Sequence, residues 1–107
     1  MANMMKMMQQ AAKMQKTMQK AQAELAEKEV EFSSGGGKVT VVAKGDMTVT
    51  SIKIDPEVVD PDDVEMLEDL VLAGVDGALK AAREMVSEEM GKITGDLGLP
   101  PGMDLPF

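Results

Sequence analysis

Hydrophobic and polar residues alternate with two different periods along this chain, and each change of period marks a new element. Between residues 3 and about 28 the apolar positions recur three and four apart, the spacing of one helix face. With Met4 taken as heptad position a, the a sites are Met4, Ala11, Met18 and Leu25. The d sites are Met7, Met14 and Ala21, until Lys28 breaks the pattern. Ala, Met, Gln and Lys are good helix formers and no Gly or Pro interrupts them, so the spacing predicts one rod about 40 Å long. A rod of that length outreaches a domain this small, and its tip is expected to stand clear of the rest.

From residue 29 the period drops to two. "EVEFSS" alternates Glu29 and Glu31 with Val30 and Phe32, the signature of a strand. Gly35-Gly36-Gly37 break the chain, and the β-branched "KVTVVAK" reads as a second strand. A turn at Gly45-Asp46 leads into a third, "TVTSIKID". There Thr48, Thr50, Ile52 and Ile54 share one face, with Val49, Ser51 and Lys53 on the other, and the inward face is ambiguous at the start of the strand. Residues 29–55 are therefore expected to form a three-stranded antiparallel meander.

A helical period returns over 60–94. Asp60 fits an N-cap and Pro61 the first helical position, with Asp62, Asp63 and Glu65 where the helix dipole favours negative charge. The apolar stripe runs Val64, Leu67, Leu70, Val71, Val75, Ala78, Leu79, Ala82, Val86 and Met90. Gly74 and Gly77 lie inside it, each less favourable than Ala by about 1 kcal/mol, which points to close approach of a neighbouring backbone. Residues 95–107 are broken by Pro and Gly. The whole is expected to be one α+β domain, 1–107, in the order α-β-β-β-α.

Composition narrows the chemistry. The chain has no Cys and no His, which removes thiol chemistry, the usual general base and the zinc-finger patterns. "SSGGGKVT" lacks the first Gly of a phosphate loop, because Phe32 stands there, and it leads into a strand rather than a helix. The carboxylates between Asp60 and Asp69 lack calcium-loop spacing. The thioethers of Met4, Met5, Met7, Met8, Met14 and Met18 suggest Cu(I), yet Ala11, Ala21 and Leu25 continue the same seam and ligate nothing. No catalytic constellation, cofactor or metal site is expected. No apolar run reaches the roughly 20 residues of a membrane span, and the N-terminus is unlike a secretory signal, so a cytoplasmic protein is expected.

Charge is unevenly divided. The net charge is −8, but residues 1–23 hold Lys6, Lys13, Lys16 and Lys20 with no carboxylate, while the remaining seven basic and nineteen acidic side chains leave −12. Lys6, Lys13 and Lys20 recur every seven residues with Lys16 beside them, facing away from the a/d seam. On spacing alone an ordinary solvated face is the better reading. Three features favour a polyanion contact: no carboxylate is interspersed, glutamines surround the lysines, and the stripe sits on a projecting rod. It runs over roughly 20 Å, more than twice the Debye length of about 8 Å at physiological salt. The rod's apolar seam exceeds what three strands can cover, so Met7, Met14, Met18 and Leu25 are expected to meet a second copy.

The segment "GGGKVTVVAKGDMTVTSIKIDPEVVDPDDVEMLEDLVLAGVDGALKAA" and the ending "MGKITGDLGLPPGMDLPF" resemble the YbaB/EbfC family of bacterial nucleoid-associated proteins. "VEMLEDLV" and "LPPGMDLPF" are the most specific parts. The resemblance implies a tweezer-like homodimer in the nucleoid. It implies binding of double-stranded DNA with little sequence preference and an effect on DNA conformation and gene expression. It also implies that the projecting helix, here with Lys6, Lys13, Lys16 and Lys20, makes the contacts, with Lys80, Arg83 and Lys92 as lesser candidates. The other reading is a protein-interaction module whose acidic body or tail docks a replication or repair partner.

Overall fold

Val39, Val41 and Ala43 alternate with Thr40, Val42 and Lys44 along the central strand, and this alternation organises the body of the protein. The first three are fully buried and the second three half-exposed. The computed structural model describes residues 2–96. In chain order it consists of α1 (Ala2–Glu27), β1 (Glu29–Ser34), β2 (Val39–Lys44), β3 (Val49–Ile54), a 3₁₀ turn (Pro56–Val58) and α2 (Val64–Asp96). The strands form one antiparallel sheet in the order β1-β2-β3, the expected meander. The expectation for the tail 97–107 lies outside the described residues.

Helix α2 supplies the second layer. Its Ala78 and Ala82 are fully buried against Val39, Val41 and Ala43, with Val30, Val49, Leu70, Val71, Val75 and Leu79 packed around them. Small residues on α2 bring the layers close. A methyl group at Gly77 would overlap the Phe32 ring, and one at Gly74 would reach Val41 Cγ2 at 2.9 Å. The two mid-helix glycines thus stand where the sheet approaches most closely.

Two local expectations are corrected. The first concerns the start of α2. Asp60 does not cap it: its carboxylate accepts from the Asp62 amide at 2.9 Å in a separate turn. The helix begins four residues later, at Val64, and Asp63 caps it by accepting from the Met66 amide at 3.3 Å. The second concerns β3. Ile54 and Ile52 pair with Val39 and Val41, but Ala43 pairs with Val49, so Thr50 is an extra residue in a bulge. The bulge turns the strand over, and Val49, not Thr50, joins the inner face.

The three-glycine segment closes the β1–β2 hairpin with positive φ at Gly35, Gly36 and Gly37, conformations that L side chains rarely adopt. It is a strand-to-strand turn and opens no helix.

Candidate nucleic-acid interface

The molecule measures 75 × 22 × 17 Å along its principal axes, because α2 continues past the sheet and α1 runs back along it. The last part of α2 has no strand beneath it. Its Met85, Val86, Met90 and Ile93 pack instead against Met14, Met18 and Leu25 of α1, with Met18, Leu25 and Met90 buried. Leu25 and Val86 meet at Gly45, and the rest of the cluster, Met14 and Met18 before Leu25 and Met90 and Ile93 after Val86, packs together beyond it, so the helices are antiparallel. They form a two-helix arm.

The root of the arm is fixed by backbone and charge. The Gly45 amide donates to the Lys28 carbonyl at 3.0 Å and the Asp46 amide to the Ala26 carbonyl at 3.3 Å, which satisfies the end of α1 from the β2–β3 turn. Lys44 Nζ lies 3.3 Å from Glu27 and 3.8 Å from Asp46. The hydrogen bond to Glu27, then the charge of Asp46, raises the Lys44 pKa above its ordinary value. Lys28 Nζ reaches Glu89 of α2 at 3.2 Å, and that hydrogen bond holds the Glu89 carboxyl below its ordinary range.

Beyond the root, every residue from Asn3 to Lys13 is exposed. Met4, Met5, Met7 and Met8 are 70, 68, 67 and 70% exposed. At 100° per residue, Lys6, Lys13, Lys16 and Lys20 fall within an arc of about 80°, on the side of α1 opposite the packed seam. All four are exposed. Among the described residues none of the four forms an ion pair, whereas Lys28, Lys38, Lys44 and Lys92 all do. The lysine face points away from α2. The acidic residues of α2, including Glu84 and Glu88, therefore lie across an interaxial gap of about 8–10 Å, close to one Debye length.

The other expected site residues are placed differently. Met18 and Leu25 are buried within the protomer and Met14 is half-buried there, where α2 packs over this half of the seam. Met7 alone of the four remains open. Lys80 and Arg83 are exposed on α2 over the sheet, in company with Asp76 and Glu84. Lys92 lies on the arm, 3.8 Å from Glu89. Asp63, Glu65, Met66, Asp69 and Leu70 line a shallow open cleft, and no group of three or more acidic side chains among the described residues converges on a cation site.

Sequence reasoning missed that α2 pairs with α1 in the arm, and it missed the arm's root at Lys44 and Gly45. A signal for the former was present. Six-residue strands span about 20 Å, while the apolar stripe of α2 from Val64 to Met90 spans roughly 40 Å. The excess required another partner.

The sequence pattern of the YbaB/EbfC DNA-binding family matches residues 1–97. A nucleoid-associated protein of Alkaliphilus metalliredigens is 59% identical over 98 residues, covering 92% of this chain and 86% of its own. One of Acetivibrio thermocellus is 57% identical over 101 residues, covering 94% of this chain and 89% of its own. The crystal structure of an uncharacterised Helicobacter pylori protein shares the fold at 19% identity and a TM-score of 0.61, over 78% of this chain and 96% of that one. No described helix is long and apolar enough to cross a membrane.

Proposed function

Since the chain belongs to the YbaB/EbfC DNA-binding family of nucleoid-associated proteins, we propose that it binds double-stranded DNA in the nucleoid as a homodimer, by neutralising phosphates with Lys6, Lys13, Lys16 and Lys20. The observation that carries this reading is the arrangement of those lysines: one exposed face of a projecting arm, with no carboxylate partner among the described residues. Ammonium groups on flexible stems suit phosphate oxygens as point charges. The arm carries no aromatic ring to stack on a base, so contacts go to the backbone and sequence preference is low. Two arms in one dimer raise the avidity of individually weak contacts through effective concentration. Arms engaging separate stretches of duplex would alter its path and thereby gene expression. No catalytic role is assigned.

The test is the salt dependence of binding to unrelated duplexes. Each phosphate neutralised contributes about −0.9 to the slope of log K against log[salt]. A slope of about −3 or steeper, alike across sequences, supports the lysine mechanism. A slope near zero contradicts it.

A further inference from the structure

Helix α1 carries one apolar face along its length, and α2 covers only part of it. At 100° per residue, Met4, Met7, Met8 and Ala11 fall within an arc of about 100°, on the same face as Met14, Met18 and Leu25. Met14, Met18 and Leu25 pack against α2, whereas Met4, Met7, Met8 and Ala11 are exposed. The cover stops because α2 stops. Ile93 is the last α2 residue in the shared cluster and the helix ends at Asp96, roughly 5 Å further on, while α1 runs from Met14 to Ala2 for roughly 18 Å. Since the helices are antiparallel, the chain leaves α2 at the edge of the bare seam, and the axis of α2 points along that seam toward Met4.

The residues that follow suit the seam in pattern and length. Residues 97–107 place Leu97 and Leu99, then Met103, Leu105 and Phe107, at alternate positions, with no basic side chain among them. Between the two groups, Pro101-Gly102 has the order of a tight turn, with Pro at its second position and Gly at its third. An extended leg from Asp96 to Pro100 spans roughly 13 Å, and the bare seam from Ala11 to Met4 roughly 10 Å. Pro100, Pro101 and Pro106 fix φ in advance, which lowers the entropy lost on docking. Phe107 brings a ring, and thioethers pack favourably against ring edges.

We propose that residues 97–107 strap the tip of the arm. They run outward over Met8, Met7 and Met4 with Leu97 and Leu99 against the seam, turn at Pro101-Gly102, and return with Met103, Leu105 and Phe107 alongside. The strap hides thioethers that would otherwise join one arm to another. It lies on the face of α1 opposite Lys6, Lys13, Lys16 and Lys20, so the lysines stay free. It covers one face only, and residues 3–13 remain the least covered part of α1.

Oxidation of the full chain by hydrogen peroxide, mapped residue by residue with tandem mass spectrometry, tests it without DNA. Thioether oxidation follows exposure. Within α1, Met5 is as exposed as Met4, Met7 and Met8, but it stands outside their arc, toward the lysine face. With no strap the four oxidise alike. With it, Met4, Met7 and Met8 should oxidise at least about threefold more slowly than Met5. Leu99→Gln/Leu105→Gln/Phe107→Gln should bring all four to one rate, with the circular dichroism spectrum unchanged. The proposal is overturned by equal rates in wild type, or by slow oxidation that survives the triple variant. Protection that grows with protein concentration also overturns it, because that assigns the seam to a second copy. A second measurement exploits the lack of native Cys. Met7→Cys/Leu99→Cys should cross-link within one chain under mild oxidation, whereas Lys13→Cys/Leu99→Cys, across the helix, should not. Cross-links formed only between chains, or equally by both pairs, contradict the strap. A flat salt slope for DNA binding would leave all these outcomes unchanged.

Discussion

The α-carbon of Gly45 lies directly against the carbonyl of Leu25, so that a side chain at position 45 would collide with the backbone of α1. The β2–β3 turn and the end of the arm therefore meet through main chain, with the Gly45 amide bonded to the Lys28 carbonyl at 3.0 Å. A flexible side chain could give way to a methyl group, but main chain cannot do so without moving the helix.

Gly45→Ala is accordingly expected to destabilise the protein by about 1–3 kcal/mol, the range for overpacking at a tight contact. Thermal denaturation measures the loss. Since the displaced element is the arm, DNA affinity should fall as well, at temperatures where the variant remains folded.

Gly77→Ala should also destabilise, by a similar ~1–3 kcal/mol, because the new methyl meets the Phe32 ring. Phe32→Leu should cost less in the Gly77→Ala background than in wild type. A double-mutant cycle on melting curves reads this coupling, and additive effects would show that the ring is not the obstacle.

The arm has a thin core. Met18→Ala or Met90→Ala removes a large buried side chain from its cluster, at about 2–5 kcal/mol by the usual large-to-small range. Amide hydrogen exchange should then accelerate along residues 14–27 of α1 and 85–93 of α2, while β2 stays protected. In wild type, residues 3–13 should already exchange fastest within α1, having no tertiary cover.

Stability should respond to acid through Asp46, Asp55 and Glu89. Hydrogen bonds involving Thr48 hold Asp46 low, the Glu57 amide holds Asp55 low, and Lys28 holds Glu89 low. A carboxylate depressed in the folded state contributes fully above its unfolded pKa, and that contribution is lost as pH falls through the folded value. Melting temperature should therefore be level near neutrality and decline below the ordinary values of 3.8 and 4.5 for these groups. Asp55→Asn should make the decline shallower. Lys38, held above 10.5 by Glu57 and then Asp55, contributes with the opposite sign and is lost only at pH above that value.

Much of this architecture was legible because periodicity reports burial directly. The alternation from Val39 to Ala43 and the glycines at 74 and 77 each point to one packing solution. Where two local solutions satisfy the same rule, sequence cannot decide. Asp60-Pro61 and Asp63 both make acceptable helix starts, and the turn formed by Asp60 with Asp62 selects the later one. The bulge at Thr50 leaves no residue signature, because one extra residue in a strand looks like any other. The heptad seam of α1 announced that something covers Met14, Met18 and Leu25 without saying that α2 does. The number of lysines and the face they share could be read from spacing, but their freedom from ion pairs became visible only once the partners of Lys28, Lys38, Lys44 and Lys92 were known.

The lysine arm is tested most directly by two variants of equal charge. Lys6→Gln/Lys13→Gln/Lys16→Gln removes three lysines from the arm, and Lys38→Gln/Lys53→Gln/Lys80→Gln removes three from the sheet and the part of α2 above it. Duplex binding is measured for both and for wild type over a salt series. The arm variant should bind at least tenfold more weakly and flatten the salt slope by about 2–3, at about 0.9 for each phosphate no longer neutralised, while the other stays close to wild type. Equal weakening in the two variants would mean that only overall charge matters, and a greater effect in the second would place the DNA elsewhere on the molecule.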